Sequence, residues 1–184
     1  MKADLNRLKR RPFLVPLLMP VGLLGIVLVV ALWLFDARST SIVIVVRNAE
    51  TEAGTTSNPG LSTVGQQHAK MLQQFLTQAK PGRGVDVVYV AQSAAAQQTA
   101  TPLAESMGLA VNVVPAATWP ELPRTIRRDH AGEVILVVAA QDEMKSLIAA
   151  LSGTRPTLDE QDYAAAFVIS QSRLSKSAMV KLRY

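Results

Sequence analysis

Residues 41–50 read Ser-Ile-Val-Ile-Val-Val-Arg-Asn-Ala-Glu, an unbroken β-branched run that halts on Arg47 and Asn48. A strand that alternates apolar and polar residues shows one face to water, whereas a continuous run of this kind belongs to a strand covered on both faces, as in a parallel sheet flanked by helices. Two further runs have the same character, VDVVYV at 85–90 and VILVVA at 134–139. Between them lie helical patterns. LSTVGQQHAKMLQQFLTQA sets Leu61, Val64, Met71, Leu72, Phe75 and Leu76 on an apolar side, with Ser62 or Thr63 to cap its start. AAAQQTATPLAESMG stops at Gly108, and EMKSLIAALSG stops at Gly153. Strand and helix in strict alternation predict an α/β fold, a three-layer sandwich with a largely parallel central sheet and flanking helices. After Pro156, LDEQDYAAAFVIS and AMVKLRY predict a closing antiparallel pair of strands. These elements occupy residues 41–184 as one domain and leave no room for a second.

The chain before this domain has a different composition. Phe13 to Phe35 is a run of 23 residues with no ionisable side chain. At about 1.5 Å of rise per residue it reaches across a hydrocarbon core of about 30 Å, so it predicts a transmembrane helix at 13–35. Lys2, Arg7, Lys9, Arg10 and Arg11 precede it against one acid, Asp4, while Asp36 and Arg38 follow it and cancel. This asymmetry predicts a basic cytoplasmic segment at 1–12 and export of everything after the span. A cleaved signal peptide would have a shorter apolar region and small residues at the cut, which ALWLFDARST lacks, so a retained signal anchor is expected. Residues 36–40 form a short linker that tethers the domain close to the bilayer. The resulting expectation is a single-pass protein of the cell inner membrane with a periplasmic C-terminal domain.

The formal charge of +5 belongs mostly to the first segment. Residues 36–184 carry 14 Lys and Arg against 13 Asp and Glu, so the domain has no basic excess with which to bind nucleic acid. There is no cysteine, which excludes disulfides, thiol nucleophiles and cysteine-based metal sites. No metal and no cofactor are expected.

In an open α/β sheet, ligands bind beyond the carboxyl ends of the strands, here Arg47-Asn48, Ala91-Gln92 and Ala139-Ala140. At these points the sequence resembles the histidine phosphatase superfamily, the phosphoglycerate mutase-like fold, in a short single-domain form. VVRNAE is similar to the family's Arg-His-Gly-Glu signature, and NPGLSTVGQQHAKMLQQFL to its Leu-Thr-x-x-Gly-x-x-Gln-Ala helix. VDVVYVAQSAAAQQTATPLAESMGL resembles the strand followed by Arg-Ala-x-Gln-Thr-Ala, and VILVVAAQDEMKSLIAALSG the strand ending in Ser-His-Gly with its helix. The resemblance implies phosphoryl transfer through a phosphorylated histidine, with arginines and a second histidine holding the phosphate oxygens. It places Arg47 as a vestigial phosphate contact, but puts Asn48 where the family has its nucleophilic histidine. Ala49 stands for the glycine of the signature, Ala95 for the second arginine and Ala140 for the second histidine. The site is thus expected to be degenerate at Asn48, Ala95 and Ala140. A carboxamide nitrogen is delocalised into its carbonyl and does not attack phosphorus.

Other groups near those strand ends have plainer readings. His68 lies on the first helix where the family has glutamine, and is read as a surface or packing residue. His130 precedes its strand, at the end away from the site. Glu50 and Glu52 read as solvated loop acids, Gln92, Gln141, Asp142 and Glu143 as polar rim, and Arg124, Arg127 and Arg128 as a solvated basic face. The expectation that follows is a membrane-anchored pseudophosphatase that serves as an interaction scaffold or regulator for a membrane-proximal protein or envelope component. The alternative is a divergent phosphatase acting on phosphorylated envelope lipids or glycans. A third reading is an anionic-ligand sensor.

Overall fold

The run around Val45 forms β1 (Ser41–Arg47), whose residues 43–46 are all buried. The computed structural model describes residues 15–54, 56–78, 84–159, 162–172 and 176–184, and the side chains of 15–19 and 35–39 lie outside the described set. After β1 come α2 (Thr63–Gln78), β2 (Val87–Ala91), α3 (Ala94–Met107), β3 (Val111–Val114), a 3₁₀ turn (Trp119–Glu121), α4 (Leu122–Asp129), β4 (Val134–Ala139), α5 (Gln141–Ser152), β5 (Ala165–Gln171) and β6 (Ala178–Arg183). The six strands form one sheet in the order β3-β2-β4-β1-β5-β6. The pairs β3–β2, β2–β4 and β4–β1 are parallel, and β5 and β6 close the sheet antiparallel, as the sequence predicts.

β4 lies between β2 and β1 and is buried at all six positions, so both faces of the sheet are covered at its centre. Helix α2 packs on α3, and α4 on α5. The apolar core runs through Val43, Val45, Leu72, Leu103, Ile126, Leu136, Leu147 and Ile148, each at most 1 % exposed.

Local chemistry fixes the helix ends. Gly108 and Gly153 end α3 and α5 in the left-handed conformation, at φ 66° and 72°, which glycine adopts without a Cβ penalty. Ser93 caps α3 by accepting a hydrogen bond from the Ala96 amide at 3.2 Å. Ser93→Ala is expected to cost about 1 kcal/mol of stability, read as a shift in the urea midpoint.

The chain divides into two compact units, the first ending at Phe35 and the second running Asp36–Tyr184. Helix α1 (Val15–Ser39) has 25 residues. Its described side chains, at 20–34, are exposed all round, among them Val21, Leu24, Val27 and Trp33 at 56–69 %. Among the described residues no helix is long and apolar enough to cross a membrane. The predicted span at 13–35 is therefore not met as such. Residues 13 and 14, and the basic segment 1–12 on which the predicted orientation rests, lie outside the described residues.

Candidate functional site

Parallel pairing brings the carboxyl ends of β1 and β4 level, with Arg47 opposite Ala139 and the Asn48 amide donating to the Ala139 carbonyl at 2.9 Å. The three positions predicted to be degenerate lie here in different surroundings. The Asn48 side-chain amide donates to the Ala49 carbonyl at 3.1 Å. Ala95 is 3 % exposed and packs in a small apolar cluster with Ala49, Leu61 and Ala69. Ala140 is exposed at the start of α5, where its amide donates to Glu143 Oε2 at 3.1 Å.

Arg47 is half-buried. Its guanidinium lies over the Tyr163 ring, 4.2 Å from the centroid, and Nη2 donates to the Tyr163 hydroxyl at 3.4 Å. Such stacking suits a planar, weakly hydrated cation. The cavity beside it measures about 10 Å³, the smallest that admits one water, and its lining includes Gln141, Met144, Leu158 and Asp162. The Asp162 side chain is 5 % exposed, and its Oδ2 pairs with Lys181 Nζ at 2.8 Å and Arg183 Nη2 at 3.0 Å. Lys181, joined by Arg183 and opposed by burial, holds this carboxyl below the usual carboxylate range.

A second cluster adjoins the first. His68 Nδ1 lies 2.5 Å from Glu50 Oε2, and each side chain is 23 % exposed. Glu50 is fixed by its backbone, since its carbonyl accepts from the Ser62 amide at 2.9 Å. Helix α2 approaches this strand end so closely that a Cβ on Gly65 would collide with the Glu50 carbonyl oxygen. His68 follows Gly65 by less than one helical turn, so the same approach brings the imidazole to the carboxylate. The Tyr184 hydroxyl donates to the Tyr163 carbonyl at 3.1 Å, and its ring stacks on Phe75 of α2. The Tyr184 phenol is pushed up to about 12, first by burial, then by the charges of Glu50 and Asp162. Tyr184 thus touches both the Tyr163 backbone and helix α2, which carries His68.

That shift has a measurable sign. The native state keeps the Tyr184 proton between about pH 10 and 12, where an unfolded tyrosine has lost it, so stability falls as pH rises through this window. In Tyr184→Phe this part of the alkaline loss is expected to vanish, as measured by urea unfolding at pH 9 to 12.

The remaining candidates fall elsewhere. Gln141 lines the Arg47 cavity. Glu143 caps α5, and Asp142 is exposed, 3.9 Å from Lys145. Gln92 is exposed. Glu52 lines a separate groove of about 410 Å³ with Gln66, Lys70 and Gln98. None of the three arginines of α4 is directed to Arg47: Arg124 pairs with Glu121, Arg128 with Asp129, and Arg127 donates to Gln171 and to the Ala150 carbonyl. His130 caps the end of α4, with Nε2 2.7 Å from the Tyr89 hydroxyl and Nδ1 2.7 Å from Glu133, at the amino end of β4 as predicted. Among the described residues no group of three or more His, Asp or Glu side chains is arranged to hold a metal ion.

Sequence reasoning missed Tyr163 and Tyr184 entirely, and it read His68 and Glu50 as unrelated. The residues of the Arg47–Tyr163 pair are 116 positions apart, a separation that carries no local signal.

Residues 43–123 match the family described as histidine phosphatase superfamily, branch 1. The sheet and its helices have the phosphoglycerate mutase-like fold of that superfamily. Among solved structures, the protein histidine phosphatase SixA complexed with tungstate is similar at a TM-score of 0.61 and 16 % identity, over 77 % of this chain and 96 % of that one. The alpha-ribazole phosphatase of Shigella flexneri is similar at 0.56 and 16 %, over 78 % and 96 %. A mycobacterial glucosyl-3-phosphoglycerate phosphatase is similar at 0.51 and 16 %, over 71 % and 90 %. No curated protein matches the chain in sequence.

These comparisons overturn the expectation of a pseudophosphatase: the matching family is one of phosphatases, the similar structures carry phosphatase names, and no feature of the described geometry marks the domain as inactive. The physical reason is that the argument from Asn48 reached too far. It closes the route through a phosphorylated residue 48, and Ala95 and Ala140 remove two phosphate contacts, but none of this excludes water as the attacking group with Arg47 in place.

Proposed function

We propose that the domain is a divergent phosphatase that binds a phosphate monoester at Arg47 and hydrolyses it by direct attack of water. The observation that carries this reading is the place of Arg47: a half-buried guanidinium at the carboxyl end of β1, level with the end of β4, stacked on Tyr163. Phosphoryl transfer depends mainly on positioning and on stabilising charge at the equatorial oxygens, and a planar guanidinium meets two of them at once. The Tyr163 hydroxyl occupies part of that donor set and the cavity beside Arg47 holds no more than one water, so binding a phosphate requires Tyr163 to move off the guanidinium and open the site. Asn48 adds a short side-chain amide beside the same strand end.

Phosphorylated lipids or glycans of the cell envelope are the proposed substrates, with the domain held at the bilayer through the apolar run 13–35. The exposed apolar surface of α1 supports this placement, because such a surface is costly in water and is met by lipid. The test uses the full-length protein in detergent. Turnover of an aryl phosphate, with tungstate as a competing tetrahedral oxyanion, supports the reading. A protein that neither turns over the ester nor binds tungstate overturns it.

A further inference from the structure

We propose that His68 is the general base of this site and that Glu50 sets its tautomer. The inference rests on the phosphatase reading above and supplies the group that reading lacks.

Three observations converge on it. First, chemistry eliminates the alternatives: Asn48 carries an amide, Ala95 and Ala140 carry methyl groups, and His130 lies at the amino end of β4 between Tyr89 and Glu133. His68 is then the imidazole on the Arg47 side of the sheet. Second, the pair is built on rigid support. Its carboxylate follows Arg47 by three residues on a loop pinned at Ala49 by the buried Thr99 hydroxyl, at 3.0 Å, and at Glu50 by the Ser62 amide, at 2.9 Å. Third, Tyr184 links the two: its hydroxyl donates to the Tyr163 carbonyl, its ring stacks on Phe75 of the helix that carries His68, and Tyr163 underlies Arg47.

A carboxylate accepts from Nδ1–H, which leaves the Nε2 lone pair as the acceptor. Nε2 has no hydrogen-bond partner among the described residues, and 23 % exposure admits water to the side chain. The step balances. A water oxygen bonds to phosphorus as its proton passes to Nε2. The ester P–O bond breaks with its electron pair on the leaving oxygen, which then takes the proton from the imidazolium. Ester and water become alcohol and inorganic phosphate, and His68 ends neutral. Glu50 touches no reacting atom and is a positioning residue. Among the described residues the charged partner of the imidazole is Glu50, whose charge also acts on Tyr184.

The experiment follows aryl phosphate turnover by the full-length protein across pH. His68→Gln is expected to lower kcat about 10²-fold with little change in KM, and to remove the fall in kcat/KM at acid pH that protonation of the base causes in the parent. Glu50→Gln is expected to give a smaller loss of kcat. His68→Ala with added imidazole is expected to regain part of the lost rate, a recovery that a packing residue does not show; absence of that recovery counts against the proposal, and melting curves identify any variant that has lost its fold. If His68→Gln keeps both kcat and the acid limb while Arg47→Ala loses turnover, the base assignment fails and the phosphatase reading stands. If the parent shows neither turnover nor tungstate binding, both fail together.

Discussion

Replacing Arg47 by alanine is expected to lower kcat/KM for an aryl phosphate by about 10²–10³, the loss that follows removal of one preorganised donor from an oxyanion site. The effect should be large here because the arginines of α4 do not compensate: they are held by Glu121, Asp129, Gln171 and the Ala150 carbonyl. Tungstate binding, followed by calorimetry, should weaken in parallel. The fold should survive, since β1 is held by backbone pairing to β4 and β5, and the Arg47 side chain is only half-buried. Arg47→Lys should recover part of the binding and little of the rate, because an ammonium does not reproduce the fork of a guanidinium. An Arg47→Ala protein with unchanged kcat/KM would place the anion elsewhere on the molecule.

The second large effect is structural. Gly65→Ala sets a methyl group against the Glu50 carbonyl oxygen, with the Glu50 backbone carbon and nitrogen at 3.0 and 3.1 Å. The obstructing atoms are backbone, which has no rotamer to yield, so either α2 shifts outward or the loop after β1 moves. Overpacking in a well-packed region costs about 1–3 kcal/mol, and a clash with backbone belongs at or above the upper end. The expected result is a loss of about 3 kcal/mol or more by urea unfolding, a large share of the roughly 5–15 kcal/mol that such domains possess. Because His68 rides on the same helix, any shift of α2 that relieves the clash also parts His68 from Glu50. Whatever fraction remains folded should therefore resemble His68→Gln in its acid limb.

What was legible in the sequence followed from burial and local chain chemistry. β1 and β4 are covered on both faces, so composition alone marked them, and Gly108 and Gly153 announced their helix ends by a conformation that few other residues tolerate. β3 escaped notice because it is a four-residue edge strand with Asn112 and Val113 exposed, which leaves too short a run to stand out. α4 was read as a basic face without being recognised as a helix; its eight residues bury Leu122, Pro123 and Ile126 beneath the arginines. At the candidate site, Arg47 was found because it ends a strand. The pairing of His68 with Glu50 was not, since it depends on how near α2 approaches the loop, and that distance is set by the missing side chain of Gly65. The error over activity had another origin: the loss of one mechanism's residues was taken as the loss of every mechanism.

The place of β4 also bears on how the chain reaches its fold. It enters the sheet fourth in sequence yet stands between β2 and β1, which do not touch each other. During synthesis the first two strands must therefore wait, with unpaired edges, until residue 139 has left the ribosome. Parallel pairing across such separations is slow, and an interrupted chain at this stage displays two apolar ribbons ready to join a neighbour.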